Sequence, residues 1–220
     1  MAINNETLGI TLEKVICDEF EIEYPEHIRK RSHKEYEKRI KKVVKDFFIE
    51  NEGIKITKHL GKNNGCIDFE LKKGKTLSVK SNKSNYGKIC PQKIGQPTTK
   101  KFDELVAHHS FESDIDRKKY IVENPINLVN LYFDNLFCCD YLLWLYKDKK
   151  EFKIKLFTKN QFTSSILDKS KISFTRGLDK WKESKTIKYN KISFGEFQIH
   201  KKRDNIKFRF IMNKLLKLVD

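Results

Sequence analysis

An α/β domain around one mixed sheet is the fold this 220-residue sequence predicts, on three observations. Two stretches with helical hydrophobic spacing fill the first fifty residues. The period then drops to two over three short consecutive runs. Later comes a nearly all-apolar run, Tyr141-Leu142-Leu143-Trp144-Leu145-Tyr146, the pattern of a strand covered on both faces. Elements in this order pack as helices on a shared sheet.

From about Leu8 to Phe20, the residues Leu8, Leu12, Val15, Ile16 and Phe20 recur at helical spacing, with Asn5 or Thr7 as cap. A second helix, about His33 to Ile49, gathers Tyr36, Ile40, Val43, Val44, Phe47 and Phe48 on one face. Its basic face (Lys38, Arg39, Lys41, Lys42, Lys45) reads as a solvated side. Gly53 to Leu60 then alternates, and Gly61 to Gly65 is a turn cluster. Cys66 to Leu71 and Thr76 to Ser81 make two strands about a tight turn at Lys72-Lys73-Gly74-Lys75, which completes a three-strand meander. Helices are expected from about Thr99 to His109 and from Asp114 to Leu136, the latter broken near Asn124-Pro125. Strands follow at Asp140 to Lys147 and Phe152 to Phe157. A hairpin spans Phe194 to Phe210 around the polar knot Lys201 to Asn205, and a short helix, Ile211 to Val219, comes last. The whole reads as a single domain, residues 1–220, with a core over about 5–160 and an accessory region at 161–220.

Composition narrows the partner. Lys and Arg number 46 against 30 Asp and Glu, a net charge of +16. An AT-rich coding bias enriches Glu as well as Lys, so it does not by itself give that excess. A polyanion is the expected partner, either nucleic acid or an anionic surface. No run of about 18 apolar residues is present, and the N-terminus lacks the pattern of a signal peptide. Five cysteines with no C-x-x-C pair exclude a zinc ribbon and argue against a disulfide framework. They read as small buried residues of a reducing compartment, so a cytoplasmic location (bacterial or archaeal) is expected. No Gly-rich phosphate loop occurs, so no nucleotide cofactor is expected. His108-His109 lack acidic or cysteine partners at zinc spacing and read as helix surface.

The central hairpin carries the chemistry. Alternation puts Asp68 and Glu70 on one face and, on the next strand, Ser78 and Lys80 on one face. Pairing about Gly74 brings Asp68 opposite or diagonal to Lys80, within the ~5–8 Å reach of cross-strand neighbours. A carboxylate, an ammonium and a hydroxyl thus converge. They suit metal-assisted phosphodiester hydrolysis, in which a hard cation takes one or two carboxylates plus water and phosphate. The bland reading is a surface ion pair.

Asp68, a hairpin, then Leu77-Ser78-Val79-Lys80 resembles the active-site hairpin of the PD-(D/E)xK nuclease superfamily, which includes type II restriction endonucleases. The resemblance covers roughly residues 5–160 and implies a restriction-endonuclease-like core with a central mixed sheet flanked by helices. It implies catalysis by Asp68, Lys80, Glu13 and Ser78, and a Mg²⁺ ion held by Asp68, Glu13 and Val79. Glu13 matches the family's first-helix glutamate. The sequence departs from the pattern at Ser78, where the family has Asp or Glu, and at Ile67, which stands in place of proline. Glu70, on the face of Asp68, is a further candidate for the missing acid.

The amide-rich, basic stretch after the hairpin suits a loop along DNA, with Asn82, Lys83, Lys88, Gln92 and Gln96 as contacts. The terminal ribbon puts Gln198, His200, Lys207 and Arg209 on one face, suited to a major groove, with Arg203 in its turn. The alternative is a charged sheet edge. Arg176 is a similar candidate. The expected function is Mg²⁺-dependent cleavage of double-stranded DNA at a specific sequence, as a type II restriction endonuclease acting as a homodimer. A repair or junction-resolving nuclease on the same core, and a non-catalytic DNA-binding protein, are the other readings.

Overall fold

A computed structural model describes residues 3–61, 65–91, 93–106, 110–161, 167–200 and 203–219. In chain order the elements are α1 (Asn5–Glu19), α2 (Glu26–Arg31), α3 (Lys34–Glu50), β1 (Ile56–His59), β2 (Phe69–Leu71), β3 (Thr76–Asn82) and β4 (Lys88–Ile89). There follow α4 (Thr99–Val106), α5 (Asp114–Glu123), α6 (Pro125–Leu136), β5 (Tyr141–Asp148), β6 (Glu151–Thr158), β7 (Ile172–Phe174), β8 (Ser184–Tyr189), β9 (Ile192–Ile199), β10 (Ile206–Ile211) and α7 (Met212–Val219). His108, His109 and Gln92 lie outside the described residues, as do Lys201 and Lys202 of the polar knot. The chain divides into two compact units, residues 1–87 with 137–161, and residues 88–136 with 162–220. Segment 88–136 therefore groups with the C-terminal third.

The first unit is a mixed sheet flanked by helices. Its strand order is β1-β2-β3-β5-β6, antiparallel except for the parallel pair β3–β5. Asn4, rather than the expected Asn5 or Thr7, starts α1 by accepting the Thr7 amide at 2.7 Å. The helix buries Leu8, Leu12, Val15 and Ile16, and α3 buries Ile40, Val44, Phe47 and Phe48. Both join Phe69, Leu71, Leu77, Val79, Leu143 and Leu145 in one core. Each such fully buried aliphatic side chain contributes about 1.5–3 kcal/mol. The six-residue α2 was not visible in the sequence because it is too short to show a period.

Alternation leaves the other sheet face to Ser78, Lys80 and Asn82 of β3, paired in register with Leu142, Trp144 and Tyr146 of β5. Trp144 is fully buried, stacks on Tyr146 at 4.2 Å and donates its indole N–H to Asn82 Oδ1 at 2.8 Å. The β3–β5 register is secured at its start by Asp140, whose Oδ2 accepts both the amide and the hydroxyl of Thr76 at 2.8 Å. The β2–β3 turn contains Lys73 and Gly74, both at positive φ (68° and 70°), which glycine adopts without strain.

The second unit holds a sheet that the expectation of one mixed sheet does not contain. Its order is β4-β10-β9-β8-β7, antiparallel throughout, so the terminal hairpin is its centre rather than an appendage. The strand β8 is obscured in the sequence because one of its core-facing positions is a lysine: Lys185, Ile187 and Tyr189 are buried in alternation. The Lys185 ammonium lies over the rings of Trp181 (5.1 Å) and Phe174 (5.5 Å), and burial lowers its pKa. On the same face α6 stacks Tyr132 on Phe208 at 4.2 Å and Phe133 on Phe210 at 4.8 Å.

One reading of the cysteines is corrected. Cys66 and Cys138 form a disulfide between positions 72 residues apart, in the first unit, while Cys17 and Cys139 are buried thiols and Cys90 is a half-buried one. Sequence spacing carries no information on this pair, because the β3–β5 pairing brings the two segments together.

Three outcomes are expected. Asn82→Ala orphans the Trp144 indole and lowers unfolding free energy by about 1–3 kcal/mol in urea titration. The Thr76 hydrogen bonds hold the Asp140 carboxyl below its usual range, so its contribution is present above about pH 4 and lost as pH falls through the depressed value. The stability gap between wild type and Asp140→Asn should accordingly narrow on acidification. Thiol titration of the unfolded, unreduced protein should find three free thiols.

Candidate active site

Asp68 sits immediately before β2, where the ladder continues past the strand end. Its amide donates to the Leu77 carbonyl at 3.0 Å and its carbonyl accepts from the Leu60 amide at 2.8 Å. Its backbone is therefore fixed on both sides. Its side chain crosses to β3: Oδ2 accepts the Ser78 hydroxyl at 2.9 Å and the Val79 amide at 2.6 Å. The Lys80 ammonium lies 3.7 Å from the same oxygen, and donates to Ser78 Oγ at 2.6 Å and to the Val79 carbonyl at 3.0 Å. The two charged side chains are 14% and 19% exposed, which keeps the pair largely out of bulk solvent and little screened.

Glu13 reaches this field from α1. Burial raises its pKa, the hydrogen bond from His59 opposes the rise, the Asp68 charge adds to it and the Lys80 charge eases it. His59 Nε2 is 3.0 Å from Glu13 Oε2, and its buried ring meets Phe69 edge-on at 5.2 Å. This histidine was missed in the sequence. A break in register between Ile56 and Lys58 puts both Ile56 and His59 inside, whereas strict alternation would separate them. Gly61 permits the approach: a Cβ there would stand 2.9 Å from the His59 ring and 3.1 Å from Glu13 Oε2.

Asp68, Ser78, Val79, Lys80 and Glu13 thus share one locality. Glu70 lies farther along, paired with Thr76, two residues beyond Asp68. Among the described residues, no group of three His, Cys, Asp or Glu side chains is placed to hold a metal ion. The donors present are two carboxylates and the Val79 carbonyl, all oxygen, and the second Asp68 oxygen accepts no hydrogen bond among the described residues. Such a set fits a hard cation that keeps waters and phosphate as its remaining ligands, and does not fit a four-ligand zinc site.

The residues expected along DNA are dispersed. Asn82 is buried and committed to Trp144, so it is not free to read a base. Lys83, Gln96, Arg176 and Arg203 are exposed. Arg176 lines an open cleft of about 1290 Å³ with Lys118 and Trp181. His200 Nδ1 is 3.2 Å from Glu183 Oε2. Lys88, Gln198 and Arg209 all bond Glu196, a residue the sequence reading did not single out, and Lys207 is half-buried.

No family model matches the sequence. Over 215 residues, 97% of its length, the chain is 31% identical to a protein named type II restriction enzyme CviAII, from Paramecium bursaria Chlorella virus 1. The chain spans 60% of that relative's length. It is thus similar, along nearly all of its own sequence, to part of a type II restriction enzyme.

Proposed function

We propose that this protein is a type II restriction endonuclease that hydrolyses phosphodiester bonds of double-stranded DNA at a specific sequence, on a PD-(D/E)xK-type core, with Mg²⁺ as cofactor and as a homodimer. The observation that carries the reading is the cross-strand cluster of Asp68, Ser78 and Lys80, with the Glu13 carboxylate in the same field. The similarity to a protein named as a type II restriction enzyme supports the same reading.

The residues divide the work. Asp68, Glu13 and the Val79 carbonyl are the oxygens that would hold Mg²⁺. When bound, the ion supplies positive charge to the transferring phosphoryl group and lowers the pKa of a water ligand. Lys80, held by Ser78 and Val79, keeps an ammonium beside Asp68, where it orients a water and offsets charge on the phosphate. Ser78 supplies no charge; it donates to Asp68 while accepting from Lys80, and so fixes their spacing. His59 sets the Glu13 carboxylate. The surplus of 16 positive charges favours a duplex backbone as substrate. A two-fold assembly matches cleavage of both strands of a symmetric site.

Plasmid nicking assays test this. Cleavage should require Mg²⁺, stop with chelator and give discrete fragments on long DNA. Asp68→Asn and Lys80→Ala should each lower the rate by about 10²-fold or more, while duplex binding measured in Ca²⁺ persists with Lys80→Ala. Metal-independent cleavage, or full activity of Asp68→Asn, refutes the assignment. Cutting selective for branched or damaged DNA would instead indicate a repair or junction-resolving enzyme.

A further inference from the structure

The second unit's sheet has one apolar face, packed by α6, and one polar face with Glu196 at its centre. On that polar face Glu196 of β9 pairs in register with Arg209 of β10 and with Thr186 of β8, while Gln198 pairs with Lys207 and Ser184. Glu196 Oε1 accepts Arg209 Nη2 at 2.6 Å and Gln198 Nε2 at 2.7 Å, and its Oε2 accepts Lys88 Nζ at 2.6 Å. One carboxylate thus gathers donors from three strands. Burial pushes its pKa up, but the hydrogen bonds from Lys88 and Arg209 outweigh that and hold it below the usual glutamate range.

Two features distinguish this group from an ordinary surface ion pair. Arg209 has five N–H donors and spends one on Glu196, and its Nε is buried without a partner among the described residues. Its guanidinium is thus held from one side by Glu196 and by its buried Nε, while the two Nη1 hydrogens and one Nη2 hydrogen are uncommitted among the described residues. Lys207, two residues earlier on the same face, makes no hydrogen bond or ion pair among the described residues and keeps its freedom. The face carries Lys88, Lys207 and Arg209 against Glu196, so it remains cationic and complementary to DNA. A fixed guanidinium costs little additional ordering on binding, which is what directional recognition needs; a loose ammonium needs only to find a phosphate.

We propose that Arg209, held by Glu196 as a positioning residue, reads a guanine in duplex DNA, whereas Lys207 serves only the backbone. The major-groove edge of guanine offers two adjacent acceptors, O6 and N7, which match a guanidinium fork, and a β-ribbon fits that groove. The Gln198 Nε2 is turned to Glu196 and Ser184, and its carbonyl oxygen, which accepts no hydrogen bond among the described residues, is an acceptor for an amino group on a neighbouring base. The inference rests on duplex DNA being the substrate, and it names the specificity-determining group within that reading.

The test is selection from a randomised duplex pool by the full chain in Ca²⁺, followed by titration of single-pair variants of the enriched sequence. The wild type should enrich a sequence containing an obligatory G·C pair. Arg209→Lys should reduce discrimination at that one pair by about 10- to 100-fold, leaving preference at the other positions intact. Glu196→Gln should relax the same pair to a smaller extent. Lys207→Ala should weaken binding to all sequences alike and reduce the log–log salt slope by about 0.9. If the wild type enriches a sequence but Arg209→Lys and Glu196→Gln weaken every duplex uniformly, or leave the preference unchanged, the inference fails and the proposed substrate stands. If the wild type enriches nothing, both fall.

Discussion

The carboxylate oxygen Oδ2 of Asp68 is the point on which the candidate site depends. It takes the Ser78 hydroxyl and the Val79 amide and faces the Lys80 ammonium, all from the neighbouring strand. The sheet thereby supplies both the donors and the rigidity: the Asp68 backbone is bonded on one side to Leu60 and on the other to Leu77, so the side chain has few conformations to choose from. Removing a group so placed disturbs two strands at once, since its loss would leave a buried hydroxyl and amide unpaired.

The serine at position 78 follows from the same geometry. Ser78 is fully buried, between a carboxylate it bonds and an ammonium it accepts from. A second carboxylate at that position would lie beside Asp68 and away from water, where like charge and desolvation both oppose ionisation. A hydroxyl instead transmits the hydrogen bonding between Lys80 and Asp68 with no net charge. The second acid, Glu13, comes from a helix, at the price of a histidine partner and a glycine at position 61 to admit them. The hydroxyl at position 78 thus stands beside Asp68 while the further carboxylate in its field comes from a separate element.

Features governed by local period were legible in the sequence: the helices over Asn5–Glu19 and Lys34–Glu50, the break at Asn124-Pro125, the meander and the all-apolar β5 follow their patterns closely. The Asp68–Lys80 approach was legible for the same reason, because a tight turn fixes register. What was hidden depends on contacts that pattern does not encode. A bulge reversed the facing of His59. A lysine capped by aromatic rings occupied a core position of β8 and concealed the second sheet. Asn82 looked polar and available, yet the parallel pairing of β3 with β5 set it opposite Tyr146 and within reach of Trp144. Cys66 and Cys138 had no spacing to betray them.

Position 209 also clarifies what the excess charge alone means. With 46 cationic side chains against 30 anionic ones, 16 positive charges are left without an opposite charge to balance them, and that surplus acts as a field, which attracts any polyanion and distinguishes none. Discrimination requires the opposite condition, a cation whose position is fixed by a neighbour that does not neutralise all its donors. Arg117 fails that condition: its Nε and Nη2 are both spent on the buried Asp103, and Nη2 also bonds the Phe111 carbonyl, so it is structural. Lys80 and Arg209 meet it: Lys80 spends two donors, on Ser78 Oγ and the Val79 carbonyl, and keeps a third, while Arg209 spends one on Glu196. The first stands beside a carboxylate and the second in the middle of a polar sheet face. Under the proposed function, the same physical device would serve cutting in one unit and reading in the other.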